Sequence, residues 1–260
     1  PIGRRHCRPS PPGPSSGALS SSRSRPEGRH PKLAFFDIAL LDLFKHWFNP
    51  SFLVLKRIDW STPASILEKI IAYEAVHEIN SWSDLRARLE PEDRRCFAFF
   101  HPLIPNEPLI FVEVALTDNT PKTIGEVIRI DRNITPHADI NTAVFYSISS
   151  CQDGLSGISF GNFLIKEVAH KLKRNNEALQ KFVTISPVPN LSKWLKEKSM
   201  DEDIDGDRLL KQAIIYLSDS DREDEFPNDP VARFHLGNGA TLERVNLDAD
   251  LSLKGIHQSK

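Results

Sequence analysis

"TAVFYSISSCQDGLSGISFGNFLIKEVAHKLKRNNEALQKFVTIS", residues 142 to 186, holds the pattern on which the fold turns. Its opening run, Thr142 to Ser150, is β-branched and aromatic and too short for a helix, which predicts a strand. A Gly/Ser-rich loop, "CQDGLSGISFG", then opens into "NFLIKEVAHKLKR", where Phe163, Leu164, Val168 and Leu172 share one face of a helix. "KFVTIS", Lys181 to Ser186, is a second strand, and Pro187 and Pro189 in "TISPVPN" end it. A strand feeding such a loop into a helix aims several backbone N–H groups at one spot, with the positive end of the helix dipole behind them. That arrangement suits a pyrophosphate. The loop is neither GxGxxG nor a Walker loop, because no lysine follows its last glycine ahead of a Ser or Thr. On spacing alone a phosphate site and a plain helix entry both stay open. Ser186, where the strand stops, reads by default as a turn serine bonded to its own backbone.

Upstream, "CFAFFH" (Cys96 to His101) and "LIFVEVAL" (Leu109 to Leu116) are two further strands joined by the turn-rich "PLIPNEP". Before them the pattern is helical. Leu33, Phe36, Leu40, Phe44 and Phe48 follow three- and four-residue spacing, which predicts a helix from Pro31 buried along one face. "DWSTPASILEKIIAYEAVHEI" predicts a second helix, capped by Ser61 or Thr62 with Pro63 in its first turn, and "SWSDLRARL" a third. "LSKWLKEK" is a helix after the prolines, and "MDEDIDGD" and "SDSDREDEFPND" read as solvated loops or helix starts.

Residues 1–31 carry seven prolines, seven serines and six arginines against one acid, Glu27, and read as a disordered tail. The composition also suits an organelle transit peptide, but the prolines spoil an amphipathic helix. The division expected is a tail over 1–31, a helical segment over 32–90 and an α/β domain over 91–260. The first residue is Pro1 and Met200 is the single methionine, so the chain reads as a fragment or a processed product.

The 260 residues, 40% of them hydrophobic, are enough for one or two domains with a real core. A net charge of −2 gives no reason to expect a nucleic-acid partner. The greasiest stretch, Leu33 to Phe48, is interrupted by Asp37, Asp42, Lys45 and His46, so no membrane span is expected. Cys7, Cys96 and Cys151 are too few and scattered for a disulfide framework or a zinc site, which points to a reducing compartment. The histidines show no HxH or HExxH spacing, so no metal site is expected. "DEDIDG" resembles the start of a calcium loop, but counting from Asp201 the twelfth position is Gln212, where a bidentate glutamate is needed. His235, in "VARFHLGNGATLERVN", sits near the C-terminus of an expected helix; on its own it reads as a capping or surface histidine.

Taken together, "RIDWSTPASILEKIIAYEAVHEI", "RRCFAFFHPLIPNEPLIFVEVALT", "FYSIS" with "GLSGISFGNFLIKEV", "TISPVPNLSKWL", and "ARFHLGNGATLERVN" with "DLSLKGI" resemble the malonyl-CoA decarboxylase family, in family order over about residues 33 to 255. The resemblance implies an α/β (α+β) fold: a GNAT-like acyl-CoA-binding domain with a mixed central sheet, after the remnant of a helical domain. It implies that Ser186 is a catalytic proton acceptor, His235 the proton donor and Ser147 a further active-site serine. It assigns Ser156, Gly157, Ile158, Ser159, Phe160, Gly161 and Asn162 to malonyl-CoA binding. Ser159 stands where relatives have a glutamate, and Ser186 and His235 lie closer in sequence than in relatives. The helical domain is mostly missing, and relatives continue beyond "GIHQSK". The reaction implied is malonyl-CoA to acetyl-CoA and CO2 with no metal or organic cofactor, in a homo-oligomer of the cytoplasm or mitochondrial matrix. Two other readings are an acyl-CoA N-acyltransferase of the same fold and an acyl-CoA-binding remnant without turnover.

Overall fold

A computed structural model describes residues 31–155, 158, 160–199, 204–220 and 226–259. The chain divides into two compact units between Leu43 and Phe44. Helix α1 (Pro31–Trp47) supplies the described part of the first unit and runs into the second. The expected helix is there, but its burial is not continuous: Phe36 is 62% and Leu40 47% exposed, while Phe44 and Phe48 pack on the core of the second unit.

That second unit is built on a five-stranded sheet in the order β1 (Val54–Ile58), β2 (Arg94–His101), β3 (Ile104–Thr117), β4 (Thr142–Ser150) and β5 (Lys181–Thr184). The first three pairings are antiparallel and β4–β5 is parallel, so the sheet is mixed as expected. A short helix α4 (Gly125–Ile128) lies between β3 and β4; the parallel pair requires a crossover, and helix α5 (Gly161–Asn175) provides it. Its buried Leu164, Val168 and Leu172 pack against Phe97, Phe99 and Phe145 on one face. Helices α2 (Ala64–Tyr73) and α3 (Trp82–Leu89) cover the other, setting Ile66, Ile70 and Leu85 against Cys96, Ala98 and Phe111. A sheet covered on both faces needs unbroken apolar runs, which is why "CFAFFH" and "LIFVEVAL" lack alternation. The buried thiols of Cys96 and Cys151 are held protonated by that burial.

Three local expectations change. Strand β1 has no counterpart in the sequence reading: five residues with Lys56 and Arg57 inside them form an edge strand whose pairing to β2 carries it. Helix α2 starts behind Pro63 without a side-chain cap, because Thr62 Oγ1 accepts instead from the Asp59 N–H and Asp59 accepts from the Ser61 N–H. The same helix stops at Tyr73, and "EAVHEI" does not continue it. The Glu74 carboxylate takes the N–H groups of Val76 and His77, each at 2.8 Å, in place of helical carbonyls. The helix expected after the prolines is α6 (Leu191–Glu197), and in the acidic stretch Asp205 accepts from the Arg208 N–H and caps α7 (Gly206–Ser218), one of the helix starts expected there. Asp201 and Asp203 of the calcium-like motif lie outside the described residues.

His77, buried in the stretch between α2 and α3, has Nδ1 3.8 Å from Asp250 and lies near Arg88 and Lys254. Burial pushes its imidazole down to about 4 from an ordinary value of 6.5, and Asp250 only partly offsets this. Between those values the unfolded chain takes up a proton that the folded chain refuses. The stability His77 contributes is therefore present above pH 6.5 and lost as pH falls toward 4, by about 3 kcal/mol. Urea unfolding across that range should show the loss, and His77→Gln should flatten it.

Candidate active site

The last backbone bond between β5 and β4 runs from the Ile185 N–H to the Phe145 carbonyl at 3.0 Å. Beyond it β4 continues to Ser150, while Pro187 and Pro189 turn the other chain away. The two strands part, and a cleft of about 460 Å³ opens between them, walled by Tyr146, Ile148, Ile185, Phe160, Phe234 and Val76. A second cleft of about 610 Å³ lies along β5, and Ser186 and His235 border both.

His235 lies in the last turn of helix α8 (Pro230–Gly237), as its neighbours in sequence suggested. The start of α8 is held by Asp229, fully buried, whose Oδ1 accepts from the N–H groups of Val231 at 3.0 Å and Ala232 at 2.9 Å. Its Oδ2 accepts from the Tyr216 hydroxyl at 3.1 Å, which ties α8 to α7. So held, the helix brings His235 Nε2 to 3.0 Å from Ser186 Oγ, across 49 residues of sequence. Burial holds the His235 imidazole below its ordinary value, so the neutral ring is favoured near neutral pH.

Helix α5 enters the site by its N-terminus, where no side chain among the described residues caps the first N–H groups. Ile158, Phe160 and Gly161 line the smaller cleft and Asn162 the larger, whereas Ser156, Gly157 and Ser159 lie outside the described residues. Gly161 answers to packing: a Cβ there would stand 2.8 Å from Cζ of Phe234, the residue before His235. Gly161→Ala should destabilise the chain by about 1–3 kcal/mol and displace the Phe234 ring. Thermal unfolding checks the first effect, and recovery in a Gly161→Ala/Phe234→Leu double variant checks its cause.

Ser147 does not join the Ser186–His235 pair. Its hydroxyl, in a residue only 2% exposed, hydrogen-bonds both oxygens of Glu74 at 2.7 Å on the sheet face covered by α2 and α3. Its neighbours Tyr146 and Ile148 are the ones that line the cleft. Sequence reasoning missed Asp229, although Asp-Pro ahead of an apolar helix is a cap signature. It also missed the roles of Glu74 and Phe234, whose contacts with Ser147 and Gly161 cross long stretches of sequence and leave no local signal.

A family model for the malonyl-CoA decarboxylase C-terminal domain matches residues 51–208 and 202–260. The chain belongs to the malonyl-CoA decarboxylase family. Among its relatives, the mitochondrial malonyl-CoA decarboxylases of Anser anser anser and Rattus norvegicus are each 33% identical over 85% of this chain. The chain spans 53% and 54% of their lengths, about half. The crystal structure of malonyl-CoA decarboxylase from Agrobacterium vitis superposes with a TM-score of 0.79 at 46% identity, covering 87% of this chain and 63% of that one. That from Rhodopseudomonas palustris gives 0.73 at 48%, covering 88% and 63%. The loading GNATL domain of CurA from Lyngbya majuscula, 15% identical with a TM-score of 0.51 over 74% of this chain and 86% of its own, shares the fold. The family and the GNAT-like α/β fold expected from the sequence are both found.

Proposed function

We propose that this chain is a carboxy-lyase that converts malonyl-CoA to acetyl-CoA and CO2. The observation that carries the proposal is the 3.0 Å contact of Ser186 and His235 at the mouth of the parted strands, in a chain of this family. Loss of CO2 leaves an enolate whose charge sits mainly on the thioester oxygen. The enzyme has to stabilise that charge, hold the departing carboxylate perpendicular to the thioester plane, and protonate the new carbanion. β4 runs past the end of β5, so its backbone N–H groups on that edge supply fixed donors for the oxygen. The apolar walls of the smaller cleft exclude water from the enolate. His235 delivers the proton, and the Ser186 hydroxyl orients ring and substrate. The N-terminal start of α5 faces the CoA pyrophosphate, with Ile158, Phe160, Gly161 and Asn162 around it. The step asks for no metal or organic cofactor, because the thioester itself accepts the electron pair.

Incubation with malonyl-CoA in the absence of any amine should yield acetyl-CoA. A requirement for an amine acceptor would make the chain an acyltransferase, and calorimetric binding without product would leave an acyl-CoA-binding remnant. No helix among the described residues is long and apolar enough to cross a membrane. The free thiols Cys96 and Cys151 and the names of the relatives support a reducing compartment, cytoplasm or mitochondrial matrix. The family resemblance supports a homo-oligomeric intact protein, which light scattering tests.

A further inference from the structure

The Glu74 carboxylate lies behind the cleft wall and binds both sides of it. On the strand side, Ser147 Oγ is 2.7 Å from each of its oxygens and Ser149 Oγ is 3.3 Å from Oε2. On the loop side, Oε1 takes the N–H groups of Val76 and His77 at 2.8 Å, while the Ala75 N–H reaches Ser149 Oγ at 3.1 Å. Arg88 anchors the same loop from below, donating to the carbonyls of His77 at 2.8 Å and Glu78 at 3.0 Å and to Glu113 at 3.1 Å. Ser147 and Ser149 are 2% and 1% exposed, so these hydrogen bonds are shielded from water.

The residue between the two serines is Ile148. Cys151 donates its N–H to the Leu109 carbonyl at 2.9 Å, and Ser149 and Ser147 lie opposite Phe111 and Glu113 on β3. In an antiparallel ladder the residues bonded to one neighbour recur at every second position. Cys151, Ser149 and Ser147 therefore turn their backbone groups to β3, and Ile148 turns its N–H the other way. The partner strand on that side ended at Thr184, so this N–H faces the cleft, where Ile148 is a wall residue. The register shift between Glu113 and Val114 places an irregularity just before Ser147. A bulge bends a strand locally, so the aim of the next N–H depends on what restrains the side chains around it.

We propose that Glu74 is a positioning residue of the reaction: by gripping Ser147 and Ser149 it aims the Ile148 N–H at the thioester oxygen. This rests on the decarboxylase reading for the identity of the oxygen. It also assigns Ser147 its part, acting through Glu74 on the strand without touching substrate.

The test uses the 260-residue chain with acetyl-CoA as probe and isotope-edited infrared spectroscopy of its thioester carbonyl. A donor aimed at that oxygen lowers the stretching frequency on binding. The wild type should show the lowered frequency. Glu74→Ala should lose most of it and decrease kcat for malonyl-CoA about 10- to 100-fold, with KM within about threefold. Glu74→Gln, which keeps an acceptor for Val76 and His77, should retain more of both. If Glu74→Ala fails to fold, the Ser147→Ala/Ser149→Ala double variant carries the same expectation. An unchanged carbonyl frequency and kcat in these variants, even with a lower melting temperature, overturns the proposal, as does a wild type that shows no lowered frequency. A wild type that shows the frequency change but forms no acetyl-CoA from malonyl-CoA sinks the decarboxylase reading and leaves the clamp standing.

Discussion

His235→Gln should lower kcat/KM for malonyl-CoA by about 10²–10⁴-fold, the range that a positioned proton donor contributes. Glutamine keeps a polar group of similar length near Ser186 but has no proton to deliver at any working pH. Structure and binding should therefore survive while the chemical step slows. The wild-type pH profile carries the same signature. Burial holds the imidazole below its ordinary 6.5, so the protonated, donating form is lost as pH rises through a midpoint lower than that. A plot of kcat/KM against pH should fall on that limb in the wild type and lose the limb in His235→Gln. Ser186→Ala, which removes the group 3.0 Å from Nε2, should reduce kcat less than His235→Gln does. Stopped assays of acetyl-CoA formation over the pH series decide this. Full activity in both variants would remove the pair from the mechanism.

Asp229→Ala should be the most damaging change outside the cleft chemistry. It removes the acceptor for two N–H groups at the start of α8 and leaves the buried Tyr216 hydroxyl without the acceptor for its own proton. Cap loss costs about 1–2 kcal/mol and a stranded buried hydroxyl about 1–3 kcal/mol. The two share one carboxylate and are not independent, so the expected total is about 2–4 kcal/mol. The helix that carries His235 would loosen at its anchored end, so kcat should fall along with the unfolding midpoint. Asp229→Asn should be much milder, because it keeps an acceptor for the N–H groups and burial already disfavours the charge. Tyr216→Phe should lie between wild type and Asp229→Ala. Equal denaturant midpoints for Asp229→Ala and the wild type would show that the helix is held by other contacts.

Much of the fold was legible because it is written locally. Thr142 to Ser150 is a strand at both bounds expected, and α5 begins at Gly161, one residue ahead of the run "NFLIKEVAHKLKR" expected to be helical. Where side chains compete with the backbone the pattern misled. Asp59 draws Ser61 and Thr62 away from the start of α2, and Glu74 ends the same helix in mid-pattern. Strand β1 was invisible for the opposite reason, since Lys56 and Arg57 break up its short apolar run and it depends on β2 for its conformation.

By itself the sequence determined the strand, loop, helix, strand unit, the ending of β5 shortly before the prolines and the family. Each of these follows from periodicity, from the missing N–H of proline, or from the order of whole segments. Only the tertiary structure decided that Ser186 meets His235 across 49 residues, that Phe234 occupies the space Gly161 leaves free, and that Ser147 faces Glu74 behind the cleft. Those contacts depend on where separate elements come to rest once both faces of the sheet are covered. Residue spacing along a chain does not encode that placement; the packing of helices onto the sheet does.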